Sequence, residues 1–65
     1  MIKKSDKIYI AGHRGMVGSA CWRALEEEGY ANLVGKTSKE LDLRDQSAVE
    51  EFIRTEKPVL IIDAA

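Results

Sequence analysis

The chain has 65 residues, 45% of them hydrophobic and 32% charged, which is ordinary for a soluble globular protein and allows one domain at most. A net charge of −1 gives no electrostatic reason to expect nucleic acid or a membrane as a partner, and no apolar run is long enough to span a bilayer. Without an apolar signal segment the sequence predicts a cytoplasmic protein. One cysteine and one histidine cannot form a disulfide or a four-ligand zinc site.

The first half of the chain predicts a strand, a glycine loop and a helix. Residues 7–11 have the β-branched and aromatic content of a buried parallel strand. Three glycines follow at a spacing of three within residues 12–18, which we call the glycine loop. Apolar residues then recur with helical periodicity over residues 16–28, and Gly29 can close this helix in the left-handed conformation. The predicted buried stripe of the helix consists of Val17, Ala20, Cys21, Ala24 and Leu25.

The second half predicts two further strands with a helix between them. Residues 33–34 form a short second strand. Asp45 or Ser47 can cap the second helix, and residues 57–58 (Lys-Pro) end it because proline disfavours helix at the preceding residue. Residues 59–62 are apolar throughout, which predicts a fully buried third strand. The apolar stripe of the second helix consists of Ala48, Val49, Phe52 and Ile53.

Alternating strands and helices predict an α/β fold with parallel strands and right-handed crossovers. This is the first half of a Rossmann-type doubly wound sheet. We expect the strand order 3-2-1, with the first strand at an open edge. Residues 1–65 would then be the N-terminal part of an NAD(P)-binding Rossmann domain, truncated before the catalytic and substrate-binding parts.

The glycine loop predicts a site for the diphosphate of a dinucleotide. Gly12 lets the chain turn sharply after the strand, Gly15 lets a diphosphate approach the backbone, and Gly18 lets the helix pack closely on the strand. The first-turn amides of the helix face the same anion. Glycines alone are weak evidence, but a predicted strand and helix flank these. The cofactor-binding residues that we predict in this loop are Gly12, His13, Arg14, Gly15, Met16, Val17 and Gly18.

The Gly-x-x-Gly-x-x-Gly spacing indicates the short-chain dehydrogenase/reductase superfamily, and more its extended branch of nucleotide-sugar enzymes. Residues 11–20 (AGHRGMVGSA) closely resemble the opening of the GDP-L-fucose synthase family, with softer support from residues 40–43 and 61–65. Enzymes of that family epimerise and reduce GDP-4-keto-6-deoxy-mannose. The resemblance implies an NADP-dependent oxidoreductase of GDP-fucose biosynthesis, with a GDP-sugar as substrate. We expect the full-length protein to be a homodimer.

The end of the second strand favours NADP(H) as the cofactor. An NAD enzyme usually places a carboxylate there, about 20 residues after the loop, for the ribose 2'-hydroxyl. Here Lys36 stands in its place, and Arg14 can lean over the same ribose with a fork that matches phosphate oxygens. The resemblance supports Arg14 directly and Lys36 by approximate alignment. Solvated surface charge is the alternative for Lys36 and for Lys39.

The resemblance also implies that Asp42 and Leu43 contact the adenine, through the carboxylate and the aliphatic chain respectively. The alternative for Asp42 is a loop aspartate that turns the backbone. Ala64 and Ala65 end the third strand at the carboxyl edge of the sheet, where small residues let a cofactor approach. His13 has no carboxylate or nucleophile near it in sequence, so we predict that it does not catalyse.

In the resembled family, hydride transfer uses a Ser or Thr together with Tyr-x-x-x-Lys. Neither Tyr9 nor Tyr30 has a lysine four residues later, so no residue is a catalytic candidate and we expect the 65-residue chain to be inactive alone. Two alternatives stay open. One is another NAD(P)-dependent nucleotide-sugar epimerase or dehydratase, which the His-Arg filling and Lys36 disfavour. The other is a non-catalytic dinucleotide-binding module.

Overall fold

The computed structural model describes residues 2–64 and contains three strands and two helices in that range. The predicted alternation of strands and helices is confirmed, and the strands and the first helix end within one residue of their predicted bounds. The elements are β1 (Ile8–Ala11), α1 (Met16–Glu27), β2 (Leu33–Val34), α2 (Gln46–Glu56) and β3 (Leu60–Asp63).

The strands form one parallel sheet in the order β2-β1-β3, so the predicted order 3-2-1 is wrong. β1 is the central strand, and β2 and β3 cover its two edges. Its four residues are apolar and buried, as expected for a strand that is also covered on both faces. β2 has two residues and pairs only with Ile8 and Tyr9. β3 has four residues and pairs along the whole of β1, from Ile8–Leu60 to Ala11–Asp63. β2 is too short to pair with all four residues of a neighbouring strand in this way.

The two helices cover opposite faces of this sheet. The crossovers from β1 to β2 and from β2 to β3 run in opposite directions, and right-handed connections then place α1 and α2 on different sides. Side chains alternate along β1, so Tyr9 and Ala11 point towards α2, and Ile8 and Ile10 point the other way. The Tyr9 and Phe52 rings lie 4.7 Å apart. The core on this side consists of Tyr9, Ala11 and Leu41, with Val34, Ala48, Val49 and Phe52 packed against it.

The buried face of α1 differs from the predicted stripe. Among the described residues of α1, only Gly18 is buried, and Val17 is 63% exposed. Trp22 is half-buried and its ring packs against His13, so the inward face of the helix is rotated relative to the prediction. Cys21 is half-buried and free rather than a core residue. At helical spacing, the residues of α1 turned inwards are Gly18, Cys21, Trp22 and Leu25, and those turned outwards are Val17, Ala20 and Ala24.

The predicted helix ends are confirmed. The Asp45 carboxylate caps α2 by accepting a hydrogen bond from the Ala48 N–H at 3.2 Å. Lys57 adopts the left-handed conformation (φ 48°) just before Pro58, and Gly29 does so after α1 (φ 97°). Neither helix in residues 2–64 is both long and apolar enough to cross a membrane.

The predicted full burial of the third strand is wrong. Leu60 is 37% exposed and Ile61 is 44% exposed. β3 pairs with β1 along one edge, and in the described chain the packed core lies beneath β1 and β2. β2 and β3 are the edge strands of the sheet, and β1, which we predicted at an open edge, lies between them.

Candidate functional site

A cleft lies at the carboxyl edge of the sheet, where the glycine loop and the loop after β2 meet because all three strands are parallel. We call it the edge cleft, and residues 35–40 the β2 loop. It consists of two cavities that share Gly12, Lys36 and Ser38. The first, about 250 Å³, is lined by Gly12, His13, Arg14, Gly15, Lys36, Thr37 and Ser38. The second, about 230 Å³, is lined by Gly12, Lys36, Ser38, Leu41, Asp42 and Leu43.

The three glycines of the glycine loop have three different surroundings. Gly12 has φ 75°, and its carbonyl accepts a hydrogen bond from the Gly15 N–H at 3.0 Å, which closes the turn. A Cβ on Gly18 would lie 2.6 Å from the Gly12 carbonyl carbon and still closer to its oxygen. A Cβ on Gly15 would meet, among the described neighbours, only the Gly12 oxygen at 3.4 Å. Gly18 therefore allows close packing, whereas Gly15 leaves open space on the cleft.

The N-terminus of α1 opens on the edge cleft at Gly15, its N-cap residue. In the described chain no side chain caps this helix, and its first turn holds no acidic residue. First-turn amides and the positive end of the helix dipole are thus available to an anion. Met16 is 90% exposed, and Met16, Val17 and Gly18 are not among the residues that line the two cavities, so the structure does not bring these three predicted residues into the cleft.

Arg14 and Lys36 line the same cavity from two different loops. His13 and Lys36 follow the ends of β1 and β2 closely, so the parallel pairing of the strands brings these loops side by side. The sequence prediction placed both cations near one ribose, and the structure brings them to one cavity. Lys39 is exposed and is not among the residues that line the cleft.

A reciprocal hydrogen-bond pair shapes the β2 loop. The Thr37 N–H donates to the Glu40 carboxylate at 2.8 Å, and the Glu40 N–H donates to the Thr37 hydroxyl at 3.2 Å. Hydrogen bonds from the backbone and side chain of Thr37 hold the pKa of Glu40 below its ordinary value, and the charges of Lys36 and Arg14 lower this pKa further. This is the hydrogen-bond pattern of a capping box, formed here around a turn at residues 38–40, and Thr-x-x-Glu was a sequence signal for it that our prediction missed.

Asp42 both turns the backbone and lines the second cavity. Its carboxylate accepts hydrogen bonds from the Arg44 backbone N–H at 2.9 Å and from the Arg44 guanidinium at 3.1 and 3.2 Å. These bonds lower the pKa of Asp42 and raise that of Arg44, so the carboxylate is charged near neutral pH. The loop-turning alternative for Asp42 is therefore realised, and its position beside Leu43 in the cleft is compatible with the adenine contact as well.

The remaining predicted positions are Ala64 and Ala65. The Ala64 N–H donates to the Ala11 carbonyl at 3.0 Å, directly before Gly12, and Ala65 lies outside the described residues.

The Tyr9 ring packs in the core, and burial, followed by the nearby Asp63 charge, raises the pKa of its hydroxyl group. No group of three or more His, Cys, Asp or Glu in residues 2–64 is placed to hold a metal ion.

The His13 ring packs against Trp22 and Gly35, two residues for which the sequence prediction found no role. The ring centroids of His13 and Trp22 lie 5.6 Å apart. Since this contact joins residues far apart in the sequence, no local pattern could have predicted it.

The parallel sheet with a helix on each face and the glycine loop define the class of protein: the chain is a fragment of a Rossmann-type doubly wound fold. More closely, the chain belongs to the NAD dependent epimerase/dehydratase family, whose sequence profile matches residues 8–65. A putative GDP-L-fucose synthase 2 of Arabidopsis thaliana is 58% identical over 65 residues, which is 100% of this chain and 20% of that protein. The GDP-L-fucose synthase of Escherichia coli K12 is 51% identical over 52 residues, which is 80% of this chain and 16% of that protein.

Solved structures agree with this family. A GDP-mannoheptose C4 reductase from Campylobacter jejuni, with NADP bound, matches with a TM-score of 0.96 and 45% identity, over 100% of this chain and 19% of that one. A GDP-D-glycero-L-gluco-heptose synthase from the same organism, in the presence of NADPH, matches with a TM-score of 0.97 at the same identity and coverage. The fold class and the resemblance to GDP-L-fucose synthases are confirmed. The chain spans about a fifth of the length of the curated relatives it matches first.

Proposed function

We propose that this chain is the cofactor-binding segment of an NADP-dependent epimerase/reductase that acts on a GDP-linked 4-keto sugar, GDP-4-keto-6-deoxy-mannose. The observation that carries the proposal is the edge cleft, where an open glycine backbone lies beside two cations. A dinucleotide needs an anion site for its diphosphate, and NADP needs a second one for its 2'-phosphate. The cleft offers both within one connected space.

Each part of the cofactor has residues suited to it. The diphosphate would lie at Gly15 and the uncapped N-terminus of α1, where backbone amides donate without competition from a side-chain cap. Arg14 and Lys36 would hold the 2'-phosphate by charge-assisted hydrogen bonds. Asp42 and Leu43 in the second cavity would take the adenine. The bound nicotinamide would supply the hydride, and this segment would orient the other end of the cofactor.

The relatives support the choice of substrate class. Those named GDP-L-fucose synthases and those named GDP-heptose reductases or synthases share a GDP-linked sugar, and the two Campylobacter structures were determined with NADP or NADPH. We choose the fucose-type sugar because relatives named GDP-L-fucose synthase reach 58% identity; the identities of proteins with that name extend down to 39%, below the 45% of the two Campylobacter proteins, so the assay includes both kinds of sugar. The homodimer and the cytoplasmic location stay predictions.

The test is an assay of the full-length protein that carries this segment. We expect absorbance of NADPH to fall when GDP-4-keto-6-deoxy-mannose is added, and to stay constant with GDP-mannose, which has no C4 carbonyl to reduce. If the protein instead turns over a GDP-linked keto-heptose, the sugar of the proposed substrate is wrong, and the proposed class, an NADP-dependent enzyme of GDP-linked keto sugars, is kept. NADPH binding without turnover of any GDP-linked keto sugar would favour the non-catalytic module. Failure to bind either NADPH or NADH would contradict the proposal.

A further inference from the structure

Gly35 is a glycine for reasons of space. Among residues 2–64 the glycines with positive φ are Gly12 and Gly29, so the backbone at Gly35 is one that other residues adopt without strain. A Cβ on Gly35 would lie 2.6 Å from Cδ2 and 2.7 Å from Nδ1 of His13, and closer still to Cγ. The imidazole therefore occupies the space that any side chain at position 35 would need.

The other contact of this imidazole is with Trp22. The two ring centroids are 5.6 Å apart with an interplanar angle of 41°, and both residues are half-buried. His13 belongs to the glycine loop, Gly35 begins the β2 loop, and Trp22 lies on α1. A single side chain thus joins the two loops that line the first cavity to α1, and we call this arrangement the His13 seat.

The His13 seat is adjacent in sequence to both candidate phosphate ligands. His13 directly precedes Arg14, and Gly35 directly precedes Lys36. Long cationic side chains lose about 2 kcal/mol of rotamer entropy when they are fixed, so a pair of them binds a phosphate well only if their backbones are held at a suitable separation. The ring between Gly35 and Trp22 sets that separation by contact, because it cannot move into the backbone of Gly35.

From this arrangement we propose that His13 is a positioning residue, which sets the spacing of Arg14 and Lys36 and thereby the preference for a cofactor with a 2'-phosphate. The inference rests on the proposed function, since it assumes that these two cations meet the phosphate of NADP. It assigns His13 a role through packing, without proton transfer and without a direct bond to the cofactor. Gly35 and Trp22 are the two walls of the seat.

The test is a double-mutant cycle in the full-length protein, with Kd measured for NADPH and for NADH. Gly35→Ala should displace the ring and lower the preference for NADPH about three- to tenfold, while the Kd for NADH stays within about twofold. His13→Ala should lower the preference similarly. In the His13→Ala background, Gly35→Ala should have no further effect because no ring remains to be displaced. This loss of additivity is the signature of a shared contact.

A control separates positioning from general destabilisation. Gly29 has φ 97°, and a Cβ there would meet only the Lys4 side chain, at 3.8 Å, among the described residues. Gly29→Ala should therefore destabilise the protein through backbone strain and leave the ratio of the two Kd values unchanged. If this ratio fell as much as in Gly35→Ala, the selectivity change would reflect stability and the inference would be wrong.

The outcomes also distinguish this inference from the proposed function. A wild type that binds NADPH and NADH equally well would overturn both. A wild type that prefers NADPH, with the preference unchanged in His13→Ala, would overturn the positioning role alone. His13→Ala introduces no clash, so this comparison decides the inference even if Gly35→Ala does not fold.

Discussion

The glycine loop and the β2 loop line the same cleft but are held in shape by different means. Backbone contacts shape the glycine loop: Gly12 has a positive φ, and the helix at Gly18 touches the Gly12 carbonyl. Side chains shape the β2 loop, through the His13 ring against Gly35 and the reciprocal Thr37–Glu40 hydrogen bonds. Backbone atoms cannot move aside as side chains can. We therefore expect side chains added at Gly18 or Gly15 of the glycine loop to abolish folding or binding, and substitutions of the side chains that shape or extend from the two loops to change selectivity by degrees.

The largest effect is expected at Gly18, where a side chain would collide with the backbone of Gly12 and His13. Gly18→Val should destabilise the full-length protein by more than about 3 kcal/mol, the upper end of usual overpacking costs, since the atoms it meets cannot relax. Urea unfolding of the wild type and the variant measures this loss of unfolding free energy. Ala20→Val is the control on the exposed side of the same helix and should cost less than about 1 kcal/mol. Equal losses in the two variants would mean that Gly18 is not a contact point.

The next effect is expected at Gly15, which has open space where Gly18 has none. Gly15→Val should leave the fold largely intact, because its extended backbone (φ −73°, ψ 173°) suits valine. It should weaken NADPH binding about 100-fold or more, about 2.8 kcal/mol, because displacing the diphosphate breaks at least two charge-assisted hydrogen bonds. Circular dichroism reports the fold and fluorescence titration the binding. A folded variant with wild-type affinity would show that no phosphate lies here.

A smaller effect is expected in the β2 loop, where Lys36 and Lys39 form a matched pair. Lys36 lines the cleft and Lys39 is exposed outside it. Lys36→Ala should weaken NADPH binding about three- to tenfold. This loss lies between the free-energy contribution of an exposed ion pair and that of a hydrogen bond to a charged group. Lys39→Ala should have no effect, and NADH binding should change in neither variant. Equal losses of NADPH affinity from both lysines would indicate a diffuse positive field and no specific ligand.

The smallest effect is expected at Glu40, whose pKa is lowered by its bonds to Thr37. A carboxyl group with a lower pKa in the folded protein stabilises it above the unfolded pKa, and this contribution is lost as pH falls through the folded pKa. Glu40→Gln can keep the capping box without the charge. The wild type should therefore exceed Glu40→Gln in unfolding free energy at neutral pH, and this advantage should fade in acid. An advantage that does not change with pH would contradict the assignment.

The comparison of the two loops also explains what could be predicted from the sequence. The strand, turn and helix at the glycine loop were predicted because their signals are local: a β-branched strand, glycines at fixed spacing and a helical period. The sequence signals for the helix caps at Asp45 and Gly29 are also local, and both caps are confirmed. Thr37 and Glu40 carried an equally local signal that the prediction overlooked.

The features that were mispredicted depend on contacts between distant residues. The strand order depends on which edge of β1 receives β3, and residues 59–62 are equally apolar in either arrangement. Trp22 meets His13 on the inward face of α1, whereas Val17, Ala20 and Ala24, which were predicted to be buried, are exposed. Gly35 gave no signal because its role is to leave space for a residue in another loop.

The measurement that tests the central claim most directly is a pair of titrations of the full-length protein, with NADPH and with NADH, for the wild type and for Arg14→Ala. We expect the wild type to bind NADPH more tightly than NADH. Arg14→Ala should reduce the difference by about 1.5–3 kcal/mol, since it removes a charge-assisted bond to the 2'-phosphate. Equal affinities of the wild type for the two cofactors would contradict the assignment of the edge cleft to NADP.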